Sequence, residues 1–158
     1  MRPASPTSLT WYPARVLPDL HPVLETLQRR AEVVAVVLFG SHARGEARPD
    51  SDVDVGVVLL PEWFQRLSRA GAAKVVLQII EECGRVARHM ELDMVVLNAA
   101  HPLAAWDAMR HGRALWIRDR SALLSFGLWA AGREEDWEHL HTIEMREVRR
   151  RLGLPSAA

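Results

Sequence analysis

The chain has little of what a secreted, membrane-bound or nucleic-acid-coating protein needs. Cys83 is the one cysteine in 158 residues, so no internal disulfide can form and a reducing, cytoplasmic setting is expected. A thiolate-ligated zinc site is excluded with it. No apolar run approaches the roughly 20 residues needed to span a bilayer, and the opening MRPASPTSLTWYPAR lacks the apolar core of a signal peptide. Positive charge is not in excess either. Twenty Lys+Arg balance 20 Asp+Glu, which removes the long-range field that concentrates phosphate polymers, so strong nucleic-acid binding is not expected. Lys74 is the only lysine; an anionic ligand would have to be caught locally, and by arginine forks rather than ammonium point charges. What is present, 49% hydrophobic and 25% charged residues, is the composition of one globular domain with a core.

Patterning divides the chain. Residues 1–17, with Pro3, Pro6 and Pro13, read as an arm that docks through Trp11 and Tyr12. From Asp19, a plausible cap, Leu20, Val23, Leu24 and Leu27 recur at helical spacing, and the helix should end near Arg30. AVVLF, residues 35 to 39, is a β-branched run closed by Gly40 and reads as a buried strand. SHARGEARPDS, 41 to 51, is a polar loop with room for one helical turn. DVDVGVVLL, 52 to 60, is the next strand, stopped by Pro61. A long helix follows, with a break allowed at Gly71, and Val75, Val76, Ile79, Ile80, Cys83 and Val86 on one face. MELDMVVLN, 90 to 98, is a third strand. Pro102 opens a helix through Met109, and RALWI, 113 to 117, is a fourth strand. Helices over 121–130 and 133–152, separated by Gly132, close the chain.

The chemistry sits in LFGSHARGEARPDSDVDVGVV, where Gly40-Ser41 precedes Asp52-Val53-Asp54 by ten residues. Alternation along a strand puts Asp52, Asp54 and Gly56 on one side and Val53, Val55 and Val57 on the other. Two carboxylates held that close repel each other unless a divalent cation sits between them, and oxygen-only ligands suit magnesium or manganese. Gly40 lets backbone approach a phosphate, Ser41 adds a hydroxyl donor, and the amides of a turn after a strand cradle oxyanions. A metal seat beside a triphosphate seat is what two-metal phosphoryl and nucleotidyl transfer requires. Asp93, in an otherwise apolar strand, is the third carboxylate. A lone charge there would cost several kcal/mol unless paired or metal-bound. Glu91 shares its face and competes for the role.

The pattern hydrophobic-Gly-Ser, a spacer of about ten, Asp-hydrophobic-Asp-hydrophobic and a later strand with one Asp resembles the minimal nucleotidyltransferase family of the DNA polymerase beta superfamily. The likeness extends through GSHARGEARPDSDVDVGVV, ELDMVVLN and HPLAAWDAMRHGRALWIRD, roughly residues 20 to 120. It implies an α/β (α+β) nucleotidyltransferase fold: a small mixed sheet flanked by helices over 18–119, and a C-terminal helical segment over 120–158 packed on the same domain or on a partner. It implies two Mg²⁺ ions, with Mn²⁺ an alternative, and ATP as substrate. It carries the metal and catalytic roles onto Asp52, Asp54 and Asp93. The nucleotide-binding roles fall on Gly40, Ser41, Arg44 and Ser51.

Each of these residues has a plainer reading. Arg44 could be a solvated loop arginine, and His42 reads as a surface histidine in a polar loop. Trp63, Trp106, Trp116 and Trp129 read as packing residues rather than base-stacking platforms. Arg149-Arg150-Arg151 read as a solvated helix face beside Glu144 and Glu147. The leading expectation is transfer of AMP from ATP to a hydroxyl. Family members of this size resemble the antitoxin half of a pair in which the other half is a helical HEPN protein, the toxin and acceptor. Two alternatives stand: a small-molecule adenylyltransferase of the aminoglycoside-modifying kind, and a non-catalytic nucleotide-binding module that neutralises a partner by contact.

Overall fold

The computed structural model describes residues 19–88 and 90–133. The expected N-terminal arm and the helix expected over 133–152 lie outside them, apart from residue 133 itself. The first helix, α1 (His21–Gln28), begins after Asp19, whose carboxylate accepts from the His21 N–H at 3.0 Å. Strand β1 (Val33–Phe39) starts two residues before the expected AVVLF run. A five-residue helix, α2 (Gly40–Arg44), occupies the start of the expected loop and realises the single turn allowed there. Strand β2 is Val53–Leu59.

The long helix after Pro61 is two helices, α3 (Pro61–Gln65) and α4 (Arg69–Val86). The break lies at 66–68 rather than Gly71, because Ser68 takes an extended backbone and its hydroxyl accepts from the Gly71 N–H at 3.1 Å. Gly71 is thus part of a capped first turn. Strand β3 (Leu92–Val96) passes into a 3₁₀ turn, Leu97–Ala99. Helix α5 (Pro102–His111), strand β4 (Arg113–Ile117) and a helix over 120–133, α6, follow. Helix α6 runs through Gly132 without interruption, so the expected separation at that glycine is not there.

The strands form one sheet in the order β3-β2-β1-β4. Strand β1 is antiparallel to β2 and β4, whereas β2 and β3 are parallel. The sheet is therefore mixed, and α3 and α4 supply the crossover that a parallel neighbour requires. Both faces are covered. On one, Val55, Val57 and Leu59 pack with Leu27 of α1 and with Ile79 and Cys83 of α4. On the other, Val34 and Val58 pack with Leu97, with Ala105 and Ala108 of α5, and with Phe126 and Ala130 of α6. This explains why AVVLF and VGVVL read as continuous apolar runs. Each fully buried Val or Leu contributes on the order of 1.5–3 kcal/mol relative to exposure.

Helix α4 departs from its expected apolar face. Ile79 and Cys83 are buried and Val75 and Val76 half-buried, but Ile80 and Val86 are exposed. Two polar clamps fix the end of the sheet remote from the aspartates. Arg30 places Nη1 at 3.1 and 3.0 Å from the two Glu82 oxygens and Nε 2.9 Å from Glu32. Asn98 accepts from the Leu59 N–H at 2.7 Å and donates to the Leu59 carbonyl at 2.9 Å. No helix among the described residues is long and apolar enough to cross a membrane.

Candidate active site

At the end of β1 the backbone turns through Gly40, whose φ is +66°. A Cβ there would fall on Asp54 Oδ2 and lie 2.8 Å from its Cγ. Two independent constraints thus demand glycine: a left-handed backbone, and a carboxylate seated where a side chain would be. The contact follows from the sheet, because Phe39 is the register partner of Asp54. Helix α2 then starts at Gly40 with no side-chain cap from Phe39. Its first amides have no intrahelical acceptor and point out of the helix start, beside the Ser41 hydroxyl. Gly45, at φ +74°, ends the helix, its N–H turned onto the Ser41 and His42 carbonyls.

The acidic residues assemble through the parallel pair. Asp54 is in register with Asp93, and Val53 with Leu92, while the Val53 N–H donates to the Glu91 carbonyl at 2.8 Å. Period-two alternation then puts Asp54 beside Asp93 and Asp52 beside Glu91, on the sheet face that α5 covers further along. Asp54 is half-buried, while Asp52, Glu91 and Asp93 are exposed. The three aspartates singled out from sequence therefore share one face and one end of the sheet. Glu91 belongs to the same array.

The electrostatics record the crowding. The Asp54 carboxyl is held above its usual range, first by burial and then by the Asp93 and Asp52 charges, against a smaller downward pull from His42 and Arg44. Glu91 is also raised, by its hydrogen bond to Asp52, by the Asp52 charge, by slight desolvation and by Asp50. Among the described residues no three acidic, imidazole or thiol groups already close around one point. A cation at this edge would draw the carboxylates inward.

The remaining predicted residues occupy the rim. Ser41 lies at the start of α2 and is half-buried. Arg44 is exposed, its Nε 3.0 Å from Glu46 Oε2. That hydrogen bond is the main cause of its raised pKa, and the Asp107 and Asp54 charges reach it as well. Ser51 accepts from the Arg48 N–H at 2.8 Å, and its own N–H donates to the Arg48 carbonyl at 3.0 Å. It thereby closes the turn that delivers Asp52.

His42 corrects an expectation. It is 2% exposed rather than on the surface, because a helix beginning at Gly40 turns its third residue inward. Its Nε2 lies 3.2 Å from the Ser51 carbonyl; a carbonyl only accepts, so Nε2 carries the proton in that contact. The imidazole braces α2 against the turn before Asp52, linking the Gly-Ser segment to the metal-ligand candidates. A five-residue helix has no apolar periodicity, so no sequence signal marked His42 as buried.

A family model described as "Polymerase beta, Nucleotidyltransferase" matches residues 22–121, a span containing every candidate site residue named above. No curated protein matches the chain. Solved structures match in fold. A toxin-antitoxin crystal structure with AMP-PNP is 16% identical with a TM-score of 0.60, covering 83% of this chain and 98% of that one. A Y104A mutant of the toxin-antitoxin MntA-HpeT is 16% identical with a TM-score of 0.61, covering 84% and 98%. A tri-AMPylated Shewanella oneidensis HEPN toxin in complex with MNT antitoxin is 15% identical with a TM-score of 0.53, covering 80% and 92%. At these identities the likeness is one of fold.

Proposed function

The chain belongs to the polymerase beta nucleotidyltransferase family, and from that premise we propose that it transfers AMP from ATP to a hydroxyl of a protein partner. The partner is a helical HEPN-type toxin, and the chain is its antitoxin. The reading rests on one observation: Asp54, against which Gly40 packs, is the register neighbour of Asp93 and lies two residues from Asp52. Metal-ligand candidates and phosphate-binding turn are thereby fused into one edge. The partner is supported by the toxin-antitoxin complexes sharing the fold, one of them with a tri-AMPylated toxin.

The site fits divalent cations. Its donors are carboxylate oxygens, suited to Mg²⁺ or Mn²⁺, and the Asp54 carboxyl is raised first by burial and then by the neighbouring Asp93 and Asp52 charges. When bound, such ions lower the cost of forming an alkoxide and neutralise the departing pyrophosphate. Asp52 and Asp54 would hold the cations and Asp93 would complete the set. The acceptor oxygen bonds to the α-phosphorus, the bond from that phosphorus to the bridging oxygen of the β-phosphate breaks, and pyrophosphate leaves with the electron pair. The hydroxyl proton passes to a carboxylate, assigned to Asp93. Gly40 lets the backbone amides approach the phosphates, Ser41 donates its hydroxyl, and Arg44 exchanges Glu46 for a phosphate oxygen. Ser51 acts through the turn it closes, bringing Asp52 to the nucleotide.

The test uses the chain, a helical HEPN-type protein and Mg²⁺, with ATP labelled at either the α- or the γ-phosphate. Label should appear on the partner from α-labelled ATP only, and Asp54→Asn should abolish it. Transfer of the γ-label, or undiminished transfer by the variant, would contradict the proposal.

A further inference from the structure

Helix α4 carries a second apolar stripe besides the one that packs on the sheet. Ala70, Ala73, Leu77, Ile80 and Gly84 are all exposed, and the two large members are open to solvent, Leu77 at 59% and Ile80 at 39%. Their spacing alternates three and four residues, the 3.5-residue repeat of a helix–helix seam. It is distinct from the core-facing positions Val75, Val76, Ile79 and Cys83. Along the solvent side of the seam stand Lys74 and Glu81, seven residues or about 10.5 Å apart on the helix axis. Both are exposed, and neither makes an ion pair among the described residues.

We propose that this face pairs with the same face of a second copy of the chain, the two α4 helices running antiparallel about a twofold axis near Gln78-Ile79. The register follows from the stripe. Leu77 of each copy meets Ile80 of the other, and Ala73 meets Gly84. In an antiparallel seam the flanking residues on one side face their own kind across the axis, so the Lys74 ammonium of each copy meets the Glu81 carboxylate of the other, twice by symmetry. The sign pattern fits self-pairing: one cation and one anion on the same flank of the seam, on opposite sides of the axis, form two complementary contacts against an inverted copy of themselves. Gly84 is consistent with this. A glycine inside an exposed helix costs about 1 kcal/mol relative to alanine, and no described residue lies within 4 Å of where its Cβ would be, so no contact among the described residues requires it. A helix backbone approaching closely at the Ala73–Gly84 layer does. The pairing is independent of the proposed reaction.

A single helix pair is a small interface, so the dimer should dissociate on the order of micromolar concentration. Sedimentation velocity of the full chain over about 1 to 200 µM spans that range. Lys74→Glu and Glu81→Lys should each weaken association about tenfold, because each turns two attractions into two repulsions. The double swap should return it to within about threefold of wild type. Restoration is diagnostic, because within one chain the two residues are too far apart to compensate for each other. Gly84→Leu should abolish dimerisation while leaving thermal stability equal or higher, which separates loss of the seam from misfolding. A wild-type chain that stays monomeric throughout, or a double swap as weak as either single variant, overturns the proposal. The second outcome would assign the face to a partner of a different kind.

Discussion

Replacing Asp54 by asparagine should make the cation-free protein more stable while removing its activity. Adjacent strands lie about 4.8 Å apart, so Asp54 and its register neighbour Asp93 place like charges at roughly 5 Å. Coulomb's law gives about 0.8 kcal/mol at that distance in water and about 3 kcal/mol at an effective dielectric constant of 20. Asp93 is exposed, so the water limit governs. Asp52, about 6.6 Å along the strand, adds a smaller repulsion that salt screens further. Relief of about 1 kcal/mol should raise Tm by about 2–4 °C in a chain of this size. The sign follows from linkage. The folded-state pKa of Asp54 is raised, chiefly by burial, so its contribution to stability is present in full below the unfolded value and lost as pH rises through the folded one. At pH 7.5 the wild type has lost it and the neutral amide has not. Thermal unfolding in EDTA at low salt should show Asp54→Asn ahead of wild type, with the gap closing as pH falls through the raised pKa. With Mg²⁺ and a non-hydrolysable ATP analogue the order should reverse. An Asn variant that melts lower than wild type in EDTA, or gains equally from Mg²⁺ and nucleotide, refutes the reasoning.

Three further outcomes follow. Gly40→Ala introduces a side chain at φ +66° where Asp54 Oδ2 already sits; it should cost about 1–2 kcal/mol of backbone strain, read as a lower Tm, and reduce transfer by more than about 100-fold, a displaced ligand being costly. Asn98→Ala removes both hydrogen bonds to the buried Leu59 backbone and should lower stability by about 2–3 kcal/mol, seen as a lower urea midpoint at unchanged slope. Cys83 is buried and its thiol is pushed up to about 11, mainly by burial and also by Glu82, so a thiol reagent at pH 8 should modify it only at the rate of unfolding; fast labelling of the native protein would contradict the packing of α4.

Much of this site is written in the local pattern, and the rest arises only through pairing. Strands β1 and β2 announce themselves as β-branched runs because both faces of the sheet are covered. Alternation alone put Asp52 and Asp54 on one side, and an isolated charge in an apolar strand marked Asp93. What a linear reading cannot supply is register. It takes the parallel β2–β3 alignment to place Glu91 beside Asp52 and Asp93 beside Asp54, so a linear reading leaves the two as competitors where the pairing puts both in one acidic array. Gly40 was legible as a turn glycine, but its contact with Asp54 depends on the β1–β2 register. The burial of His42 and the exposure of Ile80 are likewise tertiary outcomes: the first is set by where α2 begins, the second by which part of a broadly apolar helix meets the sheet. The break after α3 came from a serine cap, a local signal that Gly71 masked.

The central claim is that Asp52, Asp54 and Asp93 close around divalent cations beside the Gly40-Ser41 turn. A crystal grown with Mn²⁺ and a non-hydrolysable ATP analogue tests it directly through the anomalous signal of the metal. The account predicts manganese peaks at bonding distance, about 2.0–2.3 Å, from the Asp52 and Asp54 carboxylates, with Asp93 on one ion and the triphosphate against the α2 amides. Manganese and nucleotide seated on another surface, with Asp54 unligated, would contradict it.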